Sequence, residues 1–130
     1  MAMGRGKCMK LVMFISFFFI GLLISGGTAS TTHLVGGSQG WDISVSYTAW
    51  ADKRSFAAGD TLVFNYQAGA HNVVPVNVAG YRSCKASAAN LAKAMSTGND
   101  KFTVKKGANY FICSYAGHCS AGMKIKVNAN

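Results

Sequence analysis

Three residues near the C-terminal end of the chain carry side chains that bind soft metal ions. Cys113, His118 and Met123 follow one another at five-residue intervals, and His71 lies upstream as a fourth candidate ligand. Two imidazoles and a thiolate in a trigonal plane, with a weak axial thioether, are the ligands of a mononuclear blue-copper electron-transfer centre. The four residues therefore predict a site for one type 1 copper ion.

Two other kinds of site could use some of the same residues. A structural zinc site would use Cys119 in place of Met123, but the adjacent His118 and Cys119 would then have to ligate one tetrahedral ion, without the usual spacing of zinc ligands. A Cys113 nucleophile with His118 as its base would need an orienting acid or amide, and the four aspartates lie elsewhere in turn-like segments. Taken singly, Met123 would more often fill a core and His71 would more often lie at the surface. The spacing of the four residues taken together favours a copper site over these alternatives.

The number of cysteines is a second indication that Cys113 binds a metal ion. Cys8 lies in an N-terminal segment that we expect to be removed, which leaves Cys84, Cys113 and Cys119, an odd number for a protein that matures in an oxidising compartment. If Cys113 is a metal ligand, Cys84 and Cys119 form the one possible disulfide. Because adjacent side chains in extended structure point to opposite sides, His118 would face the metal and Cys119 would face Cys84.

The first thirty residues have the pattern of a secretory signal peptide. Basic residues precede an apolar run at residues 11–24, and small residues follow it. The run is shorter than the roughly 20 residues that a membrane-spanning helix needs. We therefore predict a signal peptide at residues 1–30 and one domain at residues 31–130. Cleavage is expected after one of three residues: Ala29, Ser30 or Thr32.

The chain is basic, with 13 Lys and Arg residues against four Asp and Glu residues. Within residues 31–130 the net charge is +6. The positive residues are scattered, and only Lys53 with Arg54 and Lys105 with Lys106 are adjacent, which argues against a nucleic-acid-binding surface. We expect instead an unidentified redox partner, either an acidic protein or a cell-wall polyanion. Because no hydrophobic tail signals a lipid anchor, we expect a freely soluble monomer without a membrane anchor.

Patterning along residues 31–130 indicates an all-β fold. Short β-branched or aromatic runs alternate with Gly, Asn, Asp and Ser clusters, which is typical of a β-sandwich. Met123, Ile125 and Val127 alternate with lysines, so one side of that strand should face a core. Pro75 lies within another run and predicts an edge strand or a bulge. The strand-like runs are residues 33–36, 61–66, 72–76, 101–104, 109–113 and 123–127. Residues 47–51 and 86–95 predict short helical or irregular excursions over the sandwich.

Several motifs together resemble those of one family, the phytocyanins, which are plant copper proteins of the cupredoxin fold. Within that family the chain is similar to the plantacyanin, or basic blue protein, subclass, because stellacyanin-like members have glutamine where Met123 stands. The resemblance covers nearly all of residues 31–130. Its motifs are Val-Gly-Gly-Ser-Gln-Gly-Trp at 35–41, Phe-Ala-Ala-Gly-Asp at 56–60, Phe-Asn-Tyr at 64–66, His-Asn-Val-Val at 71–74, Lys-Gly at 106–107, Tyr-Phe-Ile-Cys at 110–113, Gly-His-Cys at 117–119 and Ser-Ala-Gly-Met-Lys-Ile at 120–125.

The resemblance implies a Greek-key β-sandwich with one or two short helices and a location in the extracellular matrix, or apoplast, of a plant. It also implies one-electron transfer in which the electron leaves through the exposed imidazole edge of His118. The implied copper ligands are His71, Cys113, His118 and Met123, and the implied disulfide joins Cys84 to Cys119.

Two functions are compatible with these patterns. The first is a secreted, non-enzymatic electron carrier that cycles between Cu(II) and Cu(I), with Met123 setting the reduction potential through a long, weak contact. The alternative is an extracellular signalling or matrix-interaction module in which copper mainly stabilises the fold.

Overall fold

The computed structural model describes Gly4 and residues 29–130. Apart from Gly4, Ala29 and Ser30, the predicted signal peptide lies outside the described residues, so its presence and its cleavage position stay predictions. Among the helices of the described part, none has the length and apolar character needed to cross a membrane.

Within residues 29–130, six strands form two three-stranded sheets. The first sheet contains β1 (Thr32–Leu34), β2 (Thr61–Asn65) and β4 (Asn99–Thr103), in the order β1-β2-β4. The second contains β3 (Val74–Val76), β5 (Gly107–Ile112) and β6 (Lys124–Ala129), in the order β3-β5-β6. β1 pairs with β2 in parallel, and the other neighbouring strands are antiparallel. The predicted all-β sandwich is confirmed, and β3, which contains Pro75, is an edge strand.

The inner faces of the two sheets enclose the main core. Phe64 from β2 contacts Phe111 from β5, and their ring centroids are 5.4 Å apart. In β6 the residues Ile125 and Val127 are buried, whereas Lys126 between them is exposed, as the alternation predicted. A second buried cluster, built around Val74, Ile112 and Cys119, lies on the other face of the second sheet. The other fully buried side chains of the main core include Val35, Trp41, Leu62, Val73 and Met123.

In the described part of the chain three short α-helices cover this framework, rather than the one or two that were expected. α1 (Tyr47–Asp52) covers the first predicted excursion and extends one residue beyond it, and α3 (Ala88–Leu91) falls within the second. α2 (Val78–Ser83) was not predicted, because it contains Gly80 and a β-branched residue, which are both poor helix formers. Its start was nevertheless marked, since the side chain of Asn77 accepts a hydrogen bond from the Gly80 N–H at 2.9 Å, as a helix N-cap does.

A buried contact between His33 and Asp60 holds β1 against the turn that precedes β2. His33 Nε2 lies 2.9 Å from Asp60 Oδ2, and the Asp60 carboxylate also accepts hydrogen bonds from the backbone N–H groups of Ala57 and Thr31. The Ala57 N–H contributes most to lowering the pKa of Asp60 to about 2, and His33 and Thr31 lower it further. This contact gives His33 a structural role in the fold.

We expect the free energy of unfolding of the metal-free protein to fall as the pH decreases from about 4 to about 2. The pKa of an aspartate in an unfolded chain is about 3.9, whereas the hydrogen bonds to Asp60 lower its pKa in the folded protein to about 2. A depressed folded pKa contributes stability above the unfolded pKa, and this stability is lost as the pH falls through the folded pKa. Urea denaturation across this range should show a shallower decline in Asp60→Asn than in wild type. Asp52→Asn, at an exposed aspartate, is the control, and equal declines in wild type and Asp60→Asn would contradict the assignment.

Candidate metal centre

Antiparallel pairing brings the predicted ligands to one end of the sandwich. His71 precedes β3, Cys113 directly follows β5 and Met123 directly precedes β6. Because β5 pairs antiparallel with both β3 and β6, the end of β5 lies beside the starts of its two neighbours. The loop between Cys113 and Met123 carries His118 back over the same end.

The donor atoms of three of these residues converge. Those of His71, Cys113 and His118 all lie within 4.8 Å of one another. The two histidine Nδ1 atoms are 3.0 Å apart, and the Cys113 sulfur lies 3.5 Å from His118 Nδ1. Bonds from a protein-bound metal ion to imidazole nitrogen or thiolate sulfur are about 2.0–2.3 Å long, so two donors on one ion stand about 3–4 Å apart. The three side chains therefore fit one shared ion.

The three residues differ in how deeply they are buried, and burial affects the form in which His71 can bind a metal ion. Cys113 is fully buried and His71 is 8% exposed, whereas His118 is half-buried and reaches the surface. Burial lowers the pKa of His71, the nearby His118 lowers it further, and Asp42 acts in the opposite direction. A lowered pKa favours the neutral imidazole, which is the form that binds a metal ion.

Met123 adjoins these residues through its backbone. Its side chain is fully buried in the same core cluster as Cys113. The Met123 N–H donates to the carbonyl of His118, and the Met123 carbonyl accepts from the N–H of Cys113, each at 3.1 Å. Met123 is therefore held by backbone hydrogen bonds to both Cys113 and His118. Ligation by its thioether stays a prediction.

The loop that carries His118 consists of tight turns, not of extended chain. Gly117 and Gly122 have φ values of 80° and 109°, in the left-handed region. A Cβ at either position would meet no atom within 4 Å, so glycine is required for its backbone conformation rather than for space. His118 and Cys119 do face different sides, the metal centre and the second buried cluster. The turns produce this arrangement, and the explanation from extended structure was wrong.

The predicted disulfide between Cys84 and Cys119 is present. Cys84 is the C-cap residue of α2, so the bridge joins the end of this helix to the residue next to His118. The bridge also excludes the zinc alternative, because Cys119 has no free thiolate. Cys113 is the free cysteine among the described residues. Its complete burial argues against a nucleophile that must reach a substrate, which was the other alternative.

The side chain of Asn72 joins two of the ligand-bearing segments. Its Oδ1 accepts from the N–H of Ser114, and its Nδ2 donates to Ser114 Oγ, both at 2.8 Å. Its carbonyl accepts from the indole N–H of Trp41 at 2.9 Å. Asn72 follows His71 and Ser114 follows Cys113, so this pair of hydrogen bonds fixes the spacing of the two ligands. Sequence reasoning missed Asn72, although an asparagine in a strand-like run was a signal, since strands disfavour it.

Replacing Asn72 by alanine is expected to lower the free energy of unfolding of the metal-free protein by about 1–3 kcal/mol, because the partly buried N–H of Ser114 loses its partner. Chemical denaturation of the metal-free protein measures the difference. Asn128→Ala, at an exposed position in β6, is the matched control. Equal stabilities for the two variants would show that the Asn72 bonds contribute nothing.

The chain is similar to known proteins both in sequence and in structure. The family model of the plastocyanin-like domain matches residues 41–123, which include the three converging residues and both cysteines of the disulfide. The chain is 45% identical over 97 residues to the basic blue protein of Cucumis sativus, an alignment that covers 75% of this chain and 97% of that protein. It is 38% identical over 130 residues to the chemocyanin of Lilium longiflorum, with 99% of each protein covered. Among solved structures, cucumber basic protein, a blue copper protein, matches with a TM-score of 0.71 and 43% identity, over 77% of this chain and 100% of that one.

Proposed function

The chain belongs to the phytocyanin family, and from this membership and the geometry of its metal centre we propose that it is a blue copper protein that carries single electrons. The observation that carries the proposal is the convergence of one thiolate and two imidazole Nδ1 atoms on a single point. Bound copper supplies a Cu(II)/Cu(I) couple, and this soft donor set is the one that such centres use.

The protein's own contribution is to hold the donors still. His71 and Cys113 are linked through Asn72, and His118 is held by turns that a disulfide anchors. Donors that keep their places need little rearrangement when the charge of the site changes, which favours rapid electron transfer. Met123 would supply a fourth, weakly bound donor through its thioether sulfur. This role is supported by its burial and by its backbone bonds to Cys113 and His118.

His118 is the proposed exit for the electron. Its Nδ1 faces the other donors, while the residue as a whole is half-buried and reaches the surface. Cys113, by contrast, is closed off from water. A partner that docks over His118 would therefore approach the centre without exposing the thiolate.

We propose that the protein works outside the cell, in the plant apoplast, as a carrier and not as an enzyme. The predicted signal peptide, the disulfide and the plant origin of the relatives support this location. The net charge of +6 over residues 31–130 and Met123 in place of glutamine support the basic blue protein subclass. The same charge supports an acidic redox partner or a cell-wall polyanion, which a soluble monomer would meet by electrostatic attraction.

Titration of the purified metal-free protein with Cu(II) tests the proposal. One equivalent should bind and produce an intense absorption of red light, together with a small copper hyperfine splitting in the paramagnetic resonance spectrum. The coloured protein should then accept one electron from a small-molecule reductant and return it to an oxidant, with full recovery of the colour. A pale protein with the spectrum of ordinary tetragonal copper would refute the proposal.

A further inference from the structure

Asp42 lies on the outer side of His71, opposite the metal centre. The Nδ1 atom of His71 faces His118, at 3.0 Å from its Nδ1, whereas Nε2 lies 3.8 Å from Asp42 Oδ1. The imidazole therefore stands between the converging donors and a carboxylate. Neither the spacing of the ligands nor the cysteine count had drawn attention to this aspartate.

The backbone of Asp42 is held in place by buried side chains. The hydroxyl of Tyr47, a residue that is 2% exposed, accepts from the Asp42 N–H at 2.7 Å and donates to the carbonyl of Gly40 at 2.8 Å. The preceding residue, Trp41, donates its indole N–H to the carbonyl of Asn72. The position of Asp42 relative to the segment that carries His71 is thus fixed by the core and not by the carboxylate itself.

The orientation of the carboxylate is restricted as well. Its Oδ1 atom accepts from the N–H of Ile43 at 2.6 Å, and the same atom faces His71. The separation of 3.8 Å exceeds a direct hydrogen bond, so the two groups interact through the attraction between the carboxylate charge and the N–H dipole, or the charge, of the ring. About half of the Asp42 side chain is exposed, which screens this attraction without removing it.

A carboxylate at the second nitrogen of a metal-binding histidine has two known physical effects. It holds the proton on that nitrogen, which leaves the other nitrogen free to bind, and it makes the imidazole a stronger donor. A negative charge near the ion also favours the more highly charged oxidation state.

We propose that Asp42 is a positioning residue for the metal centre, which keeps the proton of His71 on Nε2, leaves Nδ1 free and favours Cu(II) over Cu(I). Only the part of this inference that concerns Cu(II) and Cu(I) rests on the proposed function. The tautomer of His71 is a property of the protein without metal.

Asp42→Asn is the informative substitution, because asparagine has nearly the same shape and can still accept from the N–H of Ile43. Changes of residues that support a metal ligand cost about 10–100-fold in metal affinity. For a half-exposed carboxylate we expect the lower end, a Cu(II) affinity about 10-fold weaker, measured by chelator competition. If Cu(I) affinity is unchanged, the reduction potential rises by about 59 mV, which is the same factor of ten for one electron. Asp52→Asn, the same charge change at the exposed end of α1, is the control.

Nitrogen-15 NMR of the imidazoles in the metal-free protein gives a readout that does not need copper. In wild type and Asp52→Asn the His71 ring should be protonated on Nε2, and in Asp42→Asn the proportion of the Nδ1-protonated form should increase. An unchanged tautomer, affinity and potential in Asp42→Asn would overturn the proposal, and so would equal shifts in the Asp52 control. A protein that never turns blue refutes the proposed function alone, because the NMR result still decides the role of Asp42.

Discussion

Replacing Cys113 by serine is expected to abolish the intense visible absorption of the copper-loaded protein. The colour of such a centre comes from charge transfer between thiolate sulfur and copper, and a serine hydroxyl at neutral pH is neither charged nor soft. Copper affinity should fall by more than about 100-fold, since changes outside the ligand set already cost 10–100-fold. Absorption and paramagnetic resonance spectra, with chelator competition, measure both effects.

The Cys113→Ser variant must be shown to fold. Because Cys113 is fully buried, a serine hydroxyl there would be buried without an assured partner and would cost about 1–3 kcal/mol of stability. Denaturation of the metal-free variant measures that cost separately from the loss of copper. Ser120→Ala, at an exposed position of the same loop, is the control and should keep the colour. A Cys113→Ser protein that stays blue would mean that the ligand assignment is wrong.

Removing the disulfide with Cys84→Ala and Cys119→Ala together is expected to destabilise the metal-free protein by about 2–5 kcal/mol. The two cysteines are 35 residues apart in the sequence, and closing a loop of that length reduces the entropy of the unfolded chain by an amount worth about 4 kcal/mol at 25 °C. Urea denaturation of the metal-free variant and wild type gives the difference. The comparison must be made without copper, because a metal that binds only the folded form would add its own stabilisation.

The same double variant should also bind copper more weakly. Cys119 is next to His118, so a loop that is no longer tied to α2 samples positions in which His118 is away from His71 and Cys113. Copper binding would then have to reorder that loop, and this reordering lowers the copper affinity. Unchanged copper affinity together with reduced stability would show that the turns alone position His118.

Much of the centre could be predicted because ligand type and order along the chain are local properties. The thiol of Cys113, the imidazole of His118 and the thioether of Met123 follow directly from the residue types, and the loop that joins the three residues is short. The same holds for β6, where alternation over a few residues was enough to identify the buried face. α2 was missed because its interior residues are poor helix formers, and its formation depends on the Asn77 cap and on packing against the second sheet.

The sequence alone determined the three converging donor residues His71, Cys113 and His118, the pairing of the cysteines once Cys113 was set aside, and the β-sandwich. Only the tertiary structure decided that Nδ1 of each histidine faces inward, that Asn72 joins the two ligand segments, and that Asp42 stands behind His71. These contacts link residues 29 to 47 positions apart in the chain. Whether such residues meet depends on the pairing register of β3 with β5 and on the core around Trp41 and Tyr47, and neither is encoded in the spacing of the residues themselves.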